Sequence, residues 1–324
     1  MLIVVPCGGL GNRLMAMLSA RVLAEHLGCP FRICWQEQDW LPFSRFDLAD
    51  ILSGLDAECW SGPEPEAAYR HEHHTPGPVP EVEARLRAGM TVWLESYCFI
   101  KPAGLGQAEF LEALHRQFAR LQPRTEVLAR LPVLSPGAVG VQIRRTDHWC
   151  ATRYSPLRLF FKIMDGHVAD VPTTSFYLAT DDPAVKRVMK KRYGSRLLTA
   201  PDIPAPTPAE TAQAALADML ALSRTSIIYH SVMSSFGFVA HHWTRCPLRC
   251  VSTPGMPTQW QGSPADRKIG QLLEWNWEAM AWRLQGHTKT SFRLRWTARL
   301  YLVWSRLVGS RLYQNWPFHV LTVR

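Results

Sequence analysis

No stretch of this sequence reaches the roughly 18 uncharged apolar residues that a bilayer-crossing helix needs. The N-terminus, MLIVVPCGG, lacks a basic leader and runs through only five apolar residues. That is too short for a secretory signal, so the body is expected to stay cytoplasmic. Charged residues are sparse, 19% of 324, whereas 47% are hydrophobic, which fits a soluble globular chain and excludes a disordered or fibrous one. Acidic residues are missing altogether from 286–324, a segment holding seven Lys or Arg, so residues 1–285 keep only two of the nine net positive charges. A nucleic-acid binder would spread its Lys and Arg over a docking face interleaved with aromatics. The body has no such face, and no nucleic-acid partner is expected.

A disulfide framework is absent too. The eight cysteines are scattered through apolar stretches of a long chain, which points to free thiols in a reducing compartment. Cys246 and Cys250 form a lone C-x3-C. Zinc there would need two more ligands, which His241 and His242 could supply only in an unusual arrangement, so no metal is expected.

What is present is an alternation of strand and helix. Leu2–Pro6 is a β-branched run, followed by a glycine turn and by Leu14, Met17, Leu18, Leu23 and Leu27 at near-helical spacing. Phe31–Trp35 is a second apolar run, completing a βαβ beginning. Residues 61–81 are rich in Pro, Glu, His and Gly and predict an exposed loop in which His71, His73 and His74 are solvated. Thr91–Tyr97 predicts a strand and Glu109–Leu121 an amphipathic helix. LPVLSPG at 131–137 is the expected interdomain linker. Beyond it the pattern restarts, with strands over Ala138–Ile143, Phe176–Ala179, Arg196–Thr199 and Ser226–Tyr229. Helices are predicted over Pro156–Val168, Pro183–Arg192, Pro208–Leu222 and Ser234–His242. The predicted domains are 1–134 and 135–262, both Rossmann-like, with a helical tail over 263–324. Ligands of such doubly wound sheets sit at the carboxyl ends of the strands.

The residues in those places can carry chemistry. After the first strand, Gly8, Gly9, Gly11, Asn12, Arg13 and Leu14 form a turn into a helix whose free amides and positive dipole end suit an anion. A dinucleotide fingerprint would need glycine in place of Leu14, and glycines that serve packing alone remain the plainer alternative. After Ala138–Ile143 come Arg144, Arg145, Thr146, Asp147 and His148. Two guanidinium forks at a buried strand end can compensate a diphosphate and stabilise charge on a departing nucleotide; a surface ion pair to Asp147 or Asp181 is the alternative. Asp181 and Asp182 end the next strand, Asp218 lies in a later helix, and Ser234 and Ser235 open another. Taken singly, Asp182 and Ser234 read as helix caps and Asp218 as part of a solvated face.

Taken together, GGLGNRL at 8–14, GVQIRRTD at 140–147, FYLATDDP at 176–183, DMLALS at 218–223 and SSF at 234–236 resemble the GDP-fucose-dependent fucosyltransferases. These include the bacterial nodulation and animal core α1,6-enzymes and, more distantly, the protein O-fucosyltransferases. The resemblance implies a GT-B fold, two facing Rossmann-like domains with a cleft between them, and transfer without a metal or other cofactor. It implies that Arg144 contacts the β-phosphate while Arg145 assists, that Asp218 binds guanine, and that Ser234 binds phosphate. It also implies that Asn12 and Arg13 reach across to the donor. Two departures stand out: Gln142 occupies a position usually held by His, and Thr152 one usually held by Glu. The acceptor's base is therefore open between Asp147 and His148, a neutral His matching pH 7 better.

In the tail, Phe292, Trp296, Leu300, Val303, Trp304 and Leu307 alternate with Arg295, Arg299 and Arg306 on different helix faces. Such a basic amphipathic pattern suits an anionic membrane surface, placing the enzyme peripherally on the inner face of the cell membrane beside a lipid-linked glycan acceptor. A helix packing its aromatic stripe on the core is the alternative.

Overall fold

The computed structural model describes residues 1–37, 45–74, 76–146, 149–204 and 206–253. Asp147, His148 and the whole of the predicted tail, 263–324 with its basic segment 286–324, lie outside the described residues. Among the described residues no helix is long and apolar enough to cross a membrane.

Two parallel sheets organise the chain. In the first, β1 (Leu2–Pro6), β2 (Phe31–Ile33), β3 (Tyr69–His73) and β4 (Val92–Ser96) are ordered β2-β1-β4-β3. All pairs are parallel, Leu2 standing opposite both Phe31 and Val92. Its helices are α1 (Leu10–Leu27), α2 (Pro80–Arg87), α3 (Gln107–Arg120) and the short α4 (Thr125–Leu128). Every residue of β1 is buried, as an all-apolar run in a sheet covered on both faces must be.

The second sheet contains β5 (Val139–Ile143), β6 (Phe176–Thr180), β7 (Leu197–Thr199), β8 (Ile227–Ser231) and β9 (Leu248–Val251), ordered β7-β6-β5-β8-β9 and again wholly parallel. Between its strands run α5 (Trp149–Tyr154), α6 (Leu157–Asp170), α7 (Pro183–Tyr193), α8 (Pro208–Ser223) and α9 (Ser235–Thr244). Chain direction across the sheet reverses at β5, which has β6 on one side and β8 on the other, so the crevice outside those two strand ends is the topological switch point. Helices α7 and α8 begin as their sequences dictate. Each has Pro at its first position; Asp182 caps one and a Thr207–Glu210 capping box the other.

The core does not divide as cleanly as the sheets do. Leu216, Met219 and Leu220 of α8 and Phe238 and Val239 of α9 belong to the same buried cluster as Leu14, Leu18, Leu114 and Phe118 of α1 and α3. The helices approach closely enough that a Cβ added at Gly11 would come within 2.7 Å of Ser235 Oγ.

One prediction fails. Residues 69–73 are not loop but the edge strand β3, with His73 only 6% exposed and its Nε2 bonded to the Phe99 carbonyl at 3.1 Å. Burial pushes that imidazole down to about 4, so it is neutral at physiological pH. The charged residues that disguised the strand are paired: Arg70 meets Glu95 of β4 at 2.7 Å.

Candidate active site

Following β5, the backbone turns at 144–146, and four hydrogen bonds hold the turn. The Arg144 amide donates to Ser231 Oγ at 3.1 Å, bridging β5 and β8 across the switch point. Asp181, at the end of β6, accepts from the Arg145 amide at 2.8 Å and from the Thr146 amide and hydroxyl at 3.2 and 2.8 Å. Asp181 thus shapes the arginine turn, and Asp182 caps α7 by accepting from the Ala184 amide at 2.7 Å. Both carboxylates are thus engaged in holding backbone within the fold.

The two arginines differ. Arg145 folds back on its own chain: its guanidinium donates to the carbonyls of Ala151, Thr152 and Ser155 at 3.3, 3.2 and 2.6 Å, fastening the end of α5. Ser155 in turn accepts from the Val232 amide at 2.8 Å through its buried hydroxyl. The Arg145 guanidinium is therefore committed to the fold, and Arg144 stands half-buried at the switch point.

Two helix N-termini meet beside it. Helix α1 starts at Gly9 and α9 at Ser234, both without a side-chain cap and without an acid in the first turn. Their free amides and dipoles converge where Gly11 touches Ser235, which is the geometry of an anion site. Ser234 is 2% exposed and its hydroxyl has no hydrogen-bond partner among the described residues. A buried hydroxyl is costly to leave unpaired, and an oxyanion would satisfy it. The glycine turn thus serves both purposes weighed from the sequence: Gly8, at φ +83°, makes the bend, Gly11 permits the helix crossing, and Gly9 opens the amide end.

Arg13 does not reach across the cleft. It is wholly buried in the first half, donating to the carbonyls of Gly8 and Gln36 at 3.1 and 2.8 Å and lying 4.8 Å from the Trp35 ring centroid. Desolvation lowers its pKa to about 10. Asn12, next to it in the first turn of α1, is half-buried.

Asp218 projects from α8 towards β6, where it accepts a hydrogen bond from the Tyr177 hydroxyl. It is not part of a solvated face. Burial pushes its carboxyl up to about 6, partly offset by that hydrogen bond and by Lys186. The folded protein therefore holds this proton more tightly than the unfolded chain, whose Asp titrates near 3.9. Stability from this group is greatest below about 4 and declines as pH rises to about 6. Asp218→Asn should flatten that limb and raise stability at pH 7.5 by about 2 kcal/mol, read as unfolding midpoints across pH 4–8. A limb unchanged in the variant would assign the titration elsewhere.

Ser231, Ser155 and Tyr177 were not singled out from the sequence. Ser231 and Tyr177 lie in strands, where a polar residue in an apolar run was the available signal.

Two wholly parallel sheets, each flanked by helices, are the layout of the GT-B fold. Among solved structures, a mutant of Arabidopsis thaliana FUT1 in complex with GDP matches with a TM-score of 0.50 at 13% identity, over 78% of this chain and 70% of that one. The fucosyltransferase NodZ from Bradyrhizobium matches with a TM-score of 0.49 at 18% identity, over 78% and 96% of the two chains. POFUT1 in complex with GDP-fucose matches with a TM-score of 0.45 at 9% identity, over 78% and 98%. No family model and no curated protein sequence matches the chain. At 13% identity the likeness to the FUT1 structure establishes the fold alone.

Proposed function

We propose that this chain is an inverting fucosyltransferase, moving fucose from GDP-fucose to a hydroxyl of a glycan or lipid-linked glycan. The observation that carries the reading is the meeting of two uncapped helix N-termini, at Gly9–Gly11 and Ser234–Ser235, beside the arginine turn at the switch point. Such a site is suited to a diphosphate. The plant FUT1 structure of the same fold is a GDP complex, and the sequence motifs resemble those of GDP-fucose-dependent enzymes.

In this scheme Asp218 accepts from the guanine edge, and Ser234 with the α9 amides takes the phosphates. The acceptor oxygen attacks the anomeric carbon from the face opposite the nucleotide. The carbon–oxygen bond to the β-phosphate breaks, and GDP leaves with the electron pair. Arg144 gains interaction as that charge develops, so it stabilises the transition state more than the bound donor. Asp147 or His148 receives the acceptor proton. Arg145 and Asp181 act by fixing the turn that carries Arg144.

Donor hydrolysis tests the assignment. GDP release is expected from GDP-fucose, at least tenfold faster than nucleotide release from GDP-mannose or UDP-sugars. Preference for another donor would make the chain a different glycosyltransferase, and no release from any donor would make it a nucleotide-binding module.

A further inference from the structure

Away from the proposed donor site, three imidazoles converge. His115 is on α3, and His241 and His242 are on the last turn of α9. A ring nitrogen of each lies within 4.8 Å of the others, and the His242 ring centroid lies 4.7 Å from that of His115, tilted, and 4.9 Å from that of His241, edge-on.

The hydrogen bonds around them are selective. Nδ1 of His115 is 2.8 Å from the His242 carbonyl, and Nδ1 of His241 is 2.6 Å from the Cys246 carbonyl. A carbonyl only accepts, so both rings carry their proton on Nδ1 and keep a lone pair on Nε2. Proteins orient metal-ligating histidines in this way, with the outer nitrogen fixed on a carbonyl. His242 is 1% exposed, walled by Phe99, Phe118 and Phe238, and neither of its ring nitrogens has a hydrogen-bond partner among the described residues. Packing alone would be served as well by another phenylalanine, whereas an imidazole left unpaired in an aromatic box is costly. Burial lowers the pKa of all three rings, most of all that of His242.

The geometry points to a transition-metal site of the zinc type, in which His115, His241 and His242 supply three nitrogens and water the fourth position. Imidazole donors favour zinc, copper or nickel over magnesium or calcium. Tetrahedral zinc with bonds of about 2.0–2.1 Å needs donor nitrogens roughly 3.3 Å apart, so rotation of the His242 ring and a slight approach of α3 to α9 complete the site. His241 lies six residues beyond Ser235, about 9 Å along the helix axis, so the metal would not touch the donor. Its effect would be to clamp the first-sheet helix α3 to α9, the helix whose other end faces the proposed phosphate site.

The test uses the full chain, stripped with EDTA, desalted and titrated with Zn²⁺. One zinc per chain is expected by elemental analysis, with an unfolding midpoint raised by roughly 5 °C. Co²⁺ in its place should give the visible d–d absorption of a four-coordinate nitrogen site. His115→Gln and His241→Gln, at partly exposed positions, should each weaken zinc binding at least tenfold, while His71→Gln leaves it unchanged. Absence of stoichiometric zinc in the wild type, or undiminished binding in both His115→Gln and His241→Gln, would overturn the assignment. Neither outcome depends on whether the chain transfers fucose.

Discussion

Replacing Arg144 with alanine should lower turnover of GDP-fucose by about 10²–10³-fold, the loss of about 2.7–4 kcal/mol that accompanies removal of a preorganised donor to a developing anion. The backbone contacts of the turn should persist, because the Arg144 amide on Ser231 and the Arg145 amide on the Asp181 carboxylate do not involve the removed side chain. GDP affinity should fall less than turnover does, since the guanidinium gains most interaction as negative charge develops on the departing diphosphate. An Arg144→Ala enzyme that keeps wild-type turnover, measured as GDP release at saturating donor, would remove Arg144 from the chemistry.

For Arg145 the larger effect should be on stability. Its guanidinium serves three carbonyls at once, and alanine leaves them to find other partners in a half-buried position. A cost of about 2–3 kcal/mol follows, with the unfolding midpoint down by roughly 5–10 °C. Arg145→Lys keeps the charge but loses the planar fork, so it should restore less than half of the difference. Turnover should fall with stability in both variants and follow the same order. A catalytic contact would behave differently: lysine would hold the midpoint while activity collapsed, and differential scanning fluorimetry beside the GDP-release assay separates the two.

Much of the architecture was legible because its signals are local. The apolar runs of β1 and β5, and the Pro183 and Pro208 helix starts, each depend on a few adjacent residues, and their boundaries fall within a residue or two of those predicted. Strand β3 was not legible: Arg70 and Glu72 give it the polarity of a loop, and only pairing with β4, more than twenty residues on, reveals it. The site was half legible for the same reason. Sequence placed two arginines at a strand end but could not tell that one guanidinium would turn back to the Ser155 carbonyl. Arg13 in a glycine turn looked like a ligand group until Gln36 and Trp35, over twenty residues away, closed on it. The imidazole cluster joins positions 115 and 242, a separation at which no spacing rule operates.

The shared packing of α8 and α9 with α1 and α3 bears on how such an enzyme could be recombined. By chain order these two helices travel with the second sheet, yet Leu216, Met219, Phe238 and Val239 interlock with side chains of the opposite half. A chimera cut at the 131–137 segment would bring together surfaces that did not evolve against one another. Its seam would fall through the shared apolar core, close to the Gly11–Ser235 crossing. Grafting residues 138–207 alone would exchange β5, β6 and β7 while leaving that seam intact, and is the more promising route to a new specificity.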